Sequence, residues 1–265
     1  MIQSIQPHPN LKNIIREYYL INKQVVGSEM AIPIVDDCCH DIVLFKERKA
    51  KLQYGSGENI ATINAKIFTV LGLEPPYILK VENNLTFFTI KFQPWMNRYF
   101  FNKLEQKGIV NLEAYDPALL NIYDQFKEGV AIKQLVARAN DLFLSKEIAL
   151  TPKMNFTKEL CEFIMKEDGL VKVSDIANQF NKSRQYINKT FHQEVMCSLK
   201  TFITSVKIMA LVKQKVKSAE VSLTQLSYDY GYFDQAHFIN DFKKVCGVKP
   251  SSYFENLPEF ILRHD

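Results

Sequence analysis

The spacing of hydrophobic positions changes along the chain. In the first ninety residues, β-branched and aromatic side chains come in short runs at 14–21, 40–45, 65–71, 77–81 and 85–92. Runs of that length and composition predict strands. Gly55-Ser56-Gly57 marks a turn, and Glu82-Asn83-Asn84 between the last two runs predicts a hairpin. Short strands broken by turns predict a small β-barrel or sandwich. Pro94 then suits the first position of a helix over 94–104. Asp116-Pro117 opens another, carrying Leu119, Leu120, Tyr123 and Phe126 at helical spacing until Gly129 ends it. Residues 132–144 read as a third helix, 145–152 as a linker, and 156–166 as a helix that Gly169 ends. In 199–217, Leu199, Phe202, Ile203, Val206, Met209, Ala210, Lys213 and Val216 fall on one helical face. A helix of that length spans about 28 Å.

Around this long helix one pattern occurs twice. The first copy runs Ile176-Ala177-Asn178-Gln179-Phe180-Asn181-Lys182-Ser183 and continues through Ile187 to Phe191. The second runs Leu226-Ser227-Tyr228-Asp229-Tyr230-Gly231-Tyr232-Phe233-Asp234 and continues through Phe238 to Phe242. Ala177 and Asn181 match Ser227 and Gly231 at an offset of 50, and Ile187 and Phe191 match Phe238 and Phe242 at 51, so the second turn is one residue longer. A steep helix crossing needs a small residue, here Ala177 or Ser227. The turn needs a left-handed backbone, which Gly gives freely and Asn tolerates. Ser183 and Asp234 are placed to cap the following helices. These are two helix-turn-helix units in register. A span of about 28 Å sets two reading heads roughly one DNA turn apart.

Charge sharpens the picture. Residues 172–217 hold nine Lys and Arg against Asp175 and Glu194, a surplus of seven, although the whole chain carries only +4. Residues 218–249 hold three Lys against Glu220, Asp229, Asp234 and Asp241, a net −1. A basic surface on the first unit and the connecting helix is the footprint of a nucleic-acid contact. The five cysteines fit a reducing cytoplasm better than a disulfide framework. No apolar run approaches the roughly 20 residues that span a bilayer, and the N-terminus does not read as a signal peptide, so no membrane partner is expected.

The string Gly231-Tyr232-Phe233-Asp234-Gln235-Ala236-His237-Phe238, with Phe242-Lys243, Gly247-Val248-Lys249-Pro250 and Tyr253, resembles the signature of AraC-type (AraC/XylS) bacterial transcription regulators. The resemblance covers about residues 154–257. It implies an all-α domain with two helix-turn-helix units on a connecting helix, each placing its second helix in the major groove. Pro33, Asp36-Asp37, Gly72 and Lys91-Phe92-Gln93-Pro94 resemble, more weakly, a strand-rich N-terminal domain of unassigned function found on some of these regulators. The expected fold class is therefore α+β: a sensor or dimerisation domain at 1–145, a linker at 146–153, and the double helix-turn-helix domain at 154–265. Carried over by position, the family's contacting residues fall on Ser183, Arg184, Gln185, Asn188 and Lys189 in the first unit. In the second they fall on Gln235, Ala236, His237, Asn240 and Lys243. Gln and Asn suit adenine, Arg suits guanine, and Lys neutralises phosphate. His237 either faces a phosphate or caps packing, while Tyr186, Ile187, Phe191, Phe238 and Phe242 are expected in the core. Asn240 departs from the family, where Arg is frequent, which weakens the second head. The implied partners are double-stranded DNA, RNA polymerase, a small-molecule effector and a second copy of the chain.

Enzymatic signatures are sparse. Cys38-Cys39-His40 beside Asp36, Asp37 and Asp41 is the one cluster with metal-ligand chemistry, but adjacent strand residues face opposite ways. The chain has no Gly-rich phosphate loop, nucleophile elbow or paired-His helix. No cofactor, metal or catalytic residue is expected. The rival reading is a small-molecule-binding or enzymatic barrel tethered to DNA, as in repair, with Cys197 as its reactive thiol. Cys197 lacks the expected flanking motif. Phe87, Phe88 and Tyr77 are candidates to line a small sensor cavity.

Overall fold

The computed structural model describes residues 2–25, 29–47, 49–55, 57–82 and 84–257. Among the described residues, ten strands form two antiparallel sheets. They are β1 (Ile2–Ile5), β2 (Ile15–Lys23), β3 (Met30–Ile34), β4 (Asp41–Phe45), β5 (Ala50–Tyr54), β6 (Asn59–Ile63), β7 (Ile67–Leu71), β8 (Tyr77–Val81), β9 (Leu85–Phe92) and β10 (Gly108–Asn111). One sheet has the order β1-β2-β9-β4-β7-β10 and the other β3-β8-β5-β6. The predicted hairpin between 77–81 and 85–92 does not form: β8 pairs with β3 and β5, while β9 pairs with β2 and β4. The connector carries the chain from one sheet to the other. The reason is burial, since β9 is covered on both faces and must lie centrally in the larger sheet. Ser56 and Asn83 of the predicted turns lie outside the described residues. Strands β1, β3, β5, β6 and β10 were not evident in the hydrophobic pattern. β6 is an edge strand with mostly exposed residues, so it carries little alternation.

Strand parity sorts side chains into two cores. Tyr19 and Ile21 of β2, Phe45 of β4 and Leu85 of β9 pack between the sheets. The alternate residues Tyr18, Leu44, Phe88, Ile90 and Phe92 turn to the outer face and meet the helices. Those helices are α1 (Asn97–Phe101), α2 (Pro117–Glu128) and α3 (Ile132–Leu144). The helix expected over 94–104 is broken into a 3-10 turn at Pro94–Met96 followed by α1. Asp116 caps α2, and Gly129 closes it in the left-handed region.

Among the described residues, seven helices follow: α4 (Pro152–Lys166), α5 (Val173–Gln179), α6 (Arg184–Val195), α7 (Leu199–Lys217), α8 (Leu223–Asp229), α9 (Gln235–Cys246) and α10 (Pro250–Glu255). The outer core of the sandwich runs without a break through α4 and α6 to Leu199, Phe202 and Ile203 of α7. A separate core joins Ile208, Leu211 and Val212 of α7 to α8, α9 and α10. The connecting helix therefore buries different faces along its length. Ser205, Ile208, Leu211 and Val212 are buried, whereas the expected Val206, Met209, Ala210, Lys213 and Val216 are only partly covered. A single stripe was expected, but this helix packs against different neighbours at its two ends.

Gly169 has φ +71°, and a Cβ there would lie 2.6 Å from the Ile203 carbonyl oxygen and 2.7 Å from the Lys207 nitrogen. Gly231 has φ +72° but open space around it. Gly231→Ala should cost about 1 kcal/mol from backbone strain alone. Gly169→Ala should lower thermal stability clearly more, because the backbone of α7 cannot swing aside. Melting curves of the two variants compare them directly, and equal losses would contradict this packing.

Candidate nucleic-acid interface and the cavity behind it

Each helix-turn-helix unit is built as its local sequence requires. Asn181 sits at φ +48° between α5 and α6, and Gly231 at φ +72° between α8 and α9. The Ser183 hydroxyl accepts the Tyr186 N–H at 3.2 Å, and the Asp234 carboxylate accepts the His237 N–H at 2.7 Å. Ser227 is wholly buried at the crossing of its unit. Ile187, Phe191, Phe238 and Phe242 fill the cores. Ser183, Arg184, Gln185, Asn188 and Lys189 are all exposed, as are Gln235, Ala236, His237, Asn240 and Lys243. Tyr186 departs from its expected core role: it is 44% exposed, with its ring against Phe156 and Lys182 above it. Its position lies outward on α6, and these two neighbours cover the ring only in part.

Local bonds set the state of these side chains. The Asn188 amide donates to the Arg184 carbonyl at 2.9 Å, and the Gln235 amide to the Thr224 hydroxyl at 2.7 Å. His237 Nε2 lies 3.3 Å from Asp241, which also holds Lys244 at 3.2 Å, and its ring edge meets Tyr232. Two cations of the basic segment are turned inward. Lys207 lies over the Tyr232 ring at 5.1 Å, with burial lowering its pKa, and Lys215 donates to the Val221 carbonyl at 2.8 Å. Phe233, in the turn before α9, is 90% exposed. Pattern reading passed over it because a turn residue gives no periodic signal.

Behind the first unit lies a seam that the sequence did not announce. Asn97 is fully buried at the start of α1. Its amide nitrogen donates to the Cys38 and Val195 carbonyls, both at 2.8 Å, and its oxygen accepts the His40 N–H at 3.1 Å. Residues 35–40, which join β3 to β4, thereby touch the end of α6. The same loop reaches the second unit: Val35 lies in its core, and the Asp36 N–H points at the Val245 carbonyl at 3.4 Å. Cys38 Sγ is 4.0 Å from Ser205 Oγ of α7.

The loop is also one end of a cavity of about 880 Å³ between the two sheets. Tyr77 and Phe87 line it as expected, but Phe88 does not. Phe88 has the opposite strand parity and stacks on Tyr18 in the outer core. At the loop end lie Asp36, Asp37, Asp41 and Lys91. Lys91 Nζ sits 2.8 Å from Asp37 and 3.8 Å from Asp41, and Arg16 sits 3.8 Å from Asp37. Burial alone would lower the Lys91 pKa, but Asp37 and Asp41 raise it, so it stays charged. Among the described residues Asp36 has no cation at ion-pair distance, and Lys91, held by Asp37 and Asp41, attracts it only weakly. Burial pushes its pKa up to about 6, against the Cys38 N–H, which lowers it. Burial likewise holds His40 down to about 4, chiefly neutral. Cys38 and Cys39 lie in this loop rather than on a strand, and Cys39 Sγ accepts from Arg16 at 3.2 Å. Among the described residues, no group of three or more His, Cys, Asp or Glu is placed to hold a metal.

Two pH effects of opposite sign follow. The Asp36 carboxylate destabilises the fold above its folded pKa of about 6, and that cost vanishes as pH falls below the unfolded value near 3.8. Asp36→Asn keeps an oxygen for the Cys38 N–H and should raise the melting temperature at pH 8, with the gain gone by about pH 4. Neutral His40 contributes stability that is lost as pH falls from about 6.5 toward about 4. Its replacement by Gln should flatten that part of the profile. Thermal melts from pH 4 to 8 measure both, and a lower melting temperature for Asp36→Asn at pH 8 would contradict the burial cost.

Comparison with known proteins places this geometry. Residues 176–256 match the family described as "Helix-turn-helix domain". The chain is 30% identical over 154 residues to the Msm operon regulatory protein of Streptococcus mutans, a match covering 57% of this chain and 55% of that protein. It spans about half the length of that relative. It is 24% identical over 86 residues to the probable transcription factor PqrA of Proteus vulgaris, covering 32% of this chain and 70% of that one. In three dimensions it resembles a single-substitution variant of apo ToxT from Vibrio cholerae, with a TM-score of 0.50, 15% identity, and 91% of this chain and 98% of that one covered. That likeness is one of fold: a strand-rich N-terminal region followed by helices. Among the described residues, no single helix is long and apolar enough to cross a membrane. With two capped, solvent-facing second helices on one connecting helix, the C-terminal part of this chain is a double helix-turn-helix domain whose residues 231–253 resemble the AraC-type signature.

Proposed function

We propose that the chain is a sequence-specific DNA-binding transcription regulator whose N-terminal domain, at 1–145, controls the reading domain at 154–265 in response to a small molecule. The observation that carries this reading is the outward presentation of α6 and α9 on either side of a 19-residue helix, with every candidate contact residue exposed. Arg184 and Lys189 supply phosphate attraction and groove contact. Gln185, Asn188, Gln235 and Asn240 supply paired donors and acceptors for base edges. Control rests on the loop at 35–40, which touches the cavity and both units. A ligand that favours one position of that loop shifts the population of head arrangements. Catalysis has no part in this reading. RNA polymerase and a second copy of the chain are its further partners.

The basic surplus lies on the first unit and the connecting helix, so the first head anchors the protein. Arg184→Ala with Lys189→Ala should abolish operator binding at moderate salt. Gln235→Ala with Asn240→Ala should leave measurable binding and a shorter footprint. Asn188→Ala should relax preference at one or two base pairs, costing about 1–3 kcal/mol on the preferred site. Selection of bound sequences from a random DNA pool, then gel shifts at two salt concentrations, reads all three. Equal losses from the two double variants would overturn the division of labour, and no enrichment from the pool would overturn the function.

Phe233 is assigned an apolar contact with the DNA at the entry to α9. Phe233→Ala should weaken binding several-fold and leave the salt dependence unchanged, whereas Lys189→Ala should flatten that dependence by about one unit. An unaltered affinity for Phe233→Ala removes Phe233 from the interface.

A further inference from the structure

The cavity between the sheets has a polarity that selects its occupant. Its walls are apolar, built from Ile21, Phe45, Leu52, Phe68, Leu79 and Phe87. At about 880 Å³ it is large enough for a small-molecule ligand with an extended apolar part. Its charged end is not balanced. Asp36, Asp37 and Asp41 face Lys91 there, and Arg16 stands behind Asp37. Both cations are engaged by Asp37 and Asp41. Asp36 is partly covered by protein and lines the cavity. One of its oxygens accepts the Cys38 N–H at 3.1 Å, and among the described residues no cation stands at ion-pair distance from it. The other ionisable groups around this end are His40, Tyr19, Tyr77, Glu74 and the thiols of Cys38, Cys39 and Cys197, none of which supplies a positive charge near neutrality.

At this end an anionic head would meet Asp36 directly and could be paired only by taking Lys91 from Asp37; Lys23, the other lysine lining the cavity, stands at the far end of β2 beside Leu85. A cationic head does the reverse. It gives Asp36 the counter-charge that the chain withholds, and it leaves the Lys91 pair intact. Tyr77 lines this end as well, and an aromatic ring attracts a cation. We propose that this cavity binds a cationic amphiphile, an alkyl or aryl amine or quaternary ammonium, with the cation on Asp36 and the apolar part between the sheets. The inference rests on the reading of the N-terminal domain as the effector domain, and it names the class of effector. The head group then sits on the residue whose own N–H points at Val245 of the second unit. Occupancy thereby acts on the loop that joins both heads.

The test is calorimetric titration of the full chain, without DNA, using decyltrimethylammonium, decanol and decanoate at pH 8, each below its micellar concentration. The ammonium should bind at least tenfold tighter than the alcohol, and the alcohol tighter than the acid. Asp36→Asn should remove that tenfold preference while keeping the alcohol's affinity. Glu128→Gln, a surface carboxylate far from the cavity, should change nothing. Decanoate binding tightest to the unaltered protein would overturn the head-group assignment and leave an effector cavity standing. No binding by any of the three would overturn the proposal. A retained ammonium preference in Asp36→Asn would overturn it too, as binding elsewhere. Operator binding is then measured with and without the ammonium, with Asp36→Asn as the control for amine adsorption to DNA. An Asp36-dependent ligand site with no effect on operator binding would keep the site and overturn the effector reading instead.

Discussion

One buried amide holds the two halves of this protein together. Asn97 serves three backbone groups, from Cys38, His40 and Val195, with three well-placed hydrogen bonds. Each group would otherwise be an unsatisfied polar atom inside the protein, at roughly 1–3 kcal/mol apiece. That penalty makes the arrangement all-or-none: loop, α1 and the end of α6 are placed together or not at all. An apolar residue at 97 could fill the space but could not satisfy the groups. The continuous core from β9 to α7 then follows, because the first helix-turn-helix unit packs on the outer face of the larger sheet through α4 and α6.

The same loop carries the features that cost stability. Cys38 adopts φ +56°, in the left-handed region that a side chain resists. Asp36 holds an unbalanced charge, and His40 is kept neutral by burial. Strain and uncompensated charge concentrated in six residues, at the point where a cavity meets both DNA-reading units, mark a segment with a task other than holding the fold.

Electrostatics divide the reading domain unevenly. Lys207 and Lys215 are drawn into local contacts, and Asp241 draws His237 and Lys244 toward itself. Lys182, Arg184 and Lys189 remain outward around α6, and Lys243 on α9. In the proposed reading, long-range attraction orients the first unit, and the second adds short-range contacts from polar side chains and Phe233. Such an arrangement lets a small displacement of the second unit alter affinity without releasing the first.

Local sequence determined a good deal. Helix caps at Ser183, Asp234 and Asp116, the left-handed turns at Asn181 and Gly231, and the span 199–217 were readable because each is settled within a few residues by backbone sterics and one side-chain bond. The exposure of the contact residues followed from helical spacing, which places them opposite the buried Ile187, Phe191, Phe238 and Phe242. Strand existence was readable where both neighbours demanded burial, as in β8 and β9. Strand partners were not, since pairing is a contest among distant segments, and the hairpin expected from a short polar connector lost to the burial of β9 on both faces. The tertiary structure alone decided which face of each strand lines the cavity, so that Phe87 enters it and Phe88 does not. It alone brought Asn97 to Val195 and Asp36 to Val245. Contacts between residues so far apart along the chain leave no period in a sequence, and at such contacts this protein joins its cavity to its DNA-reading helices.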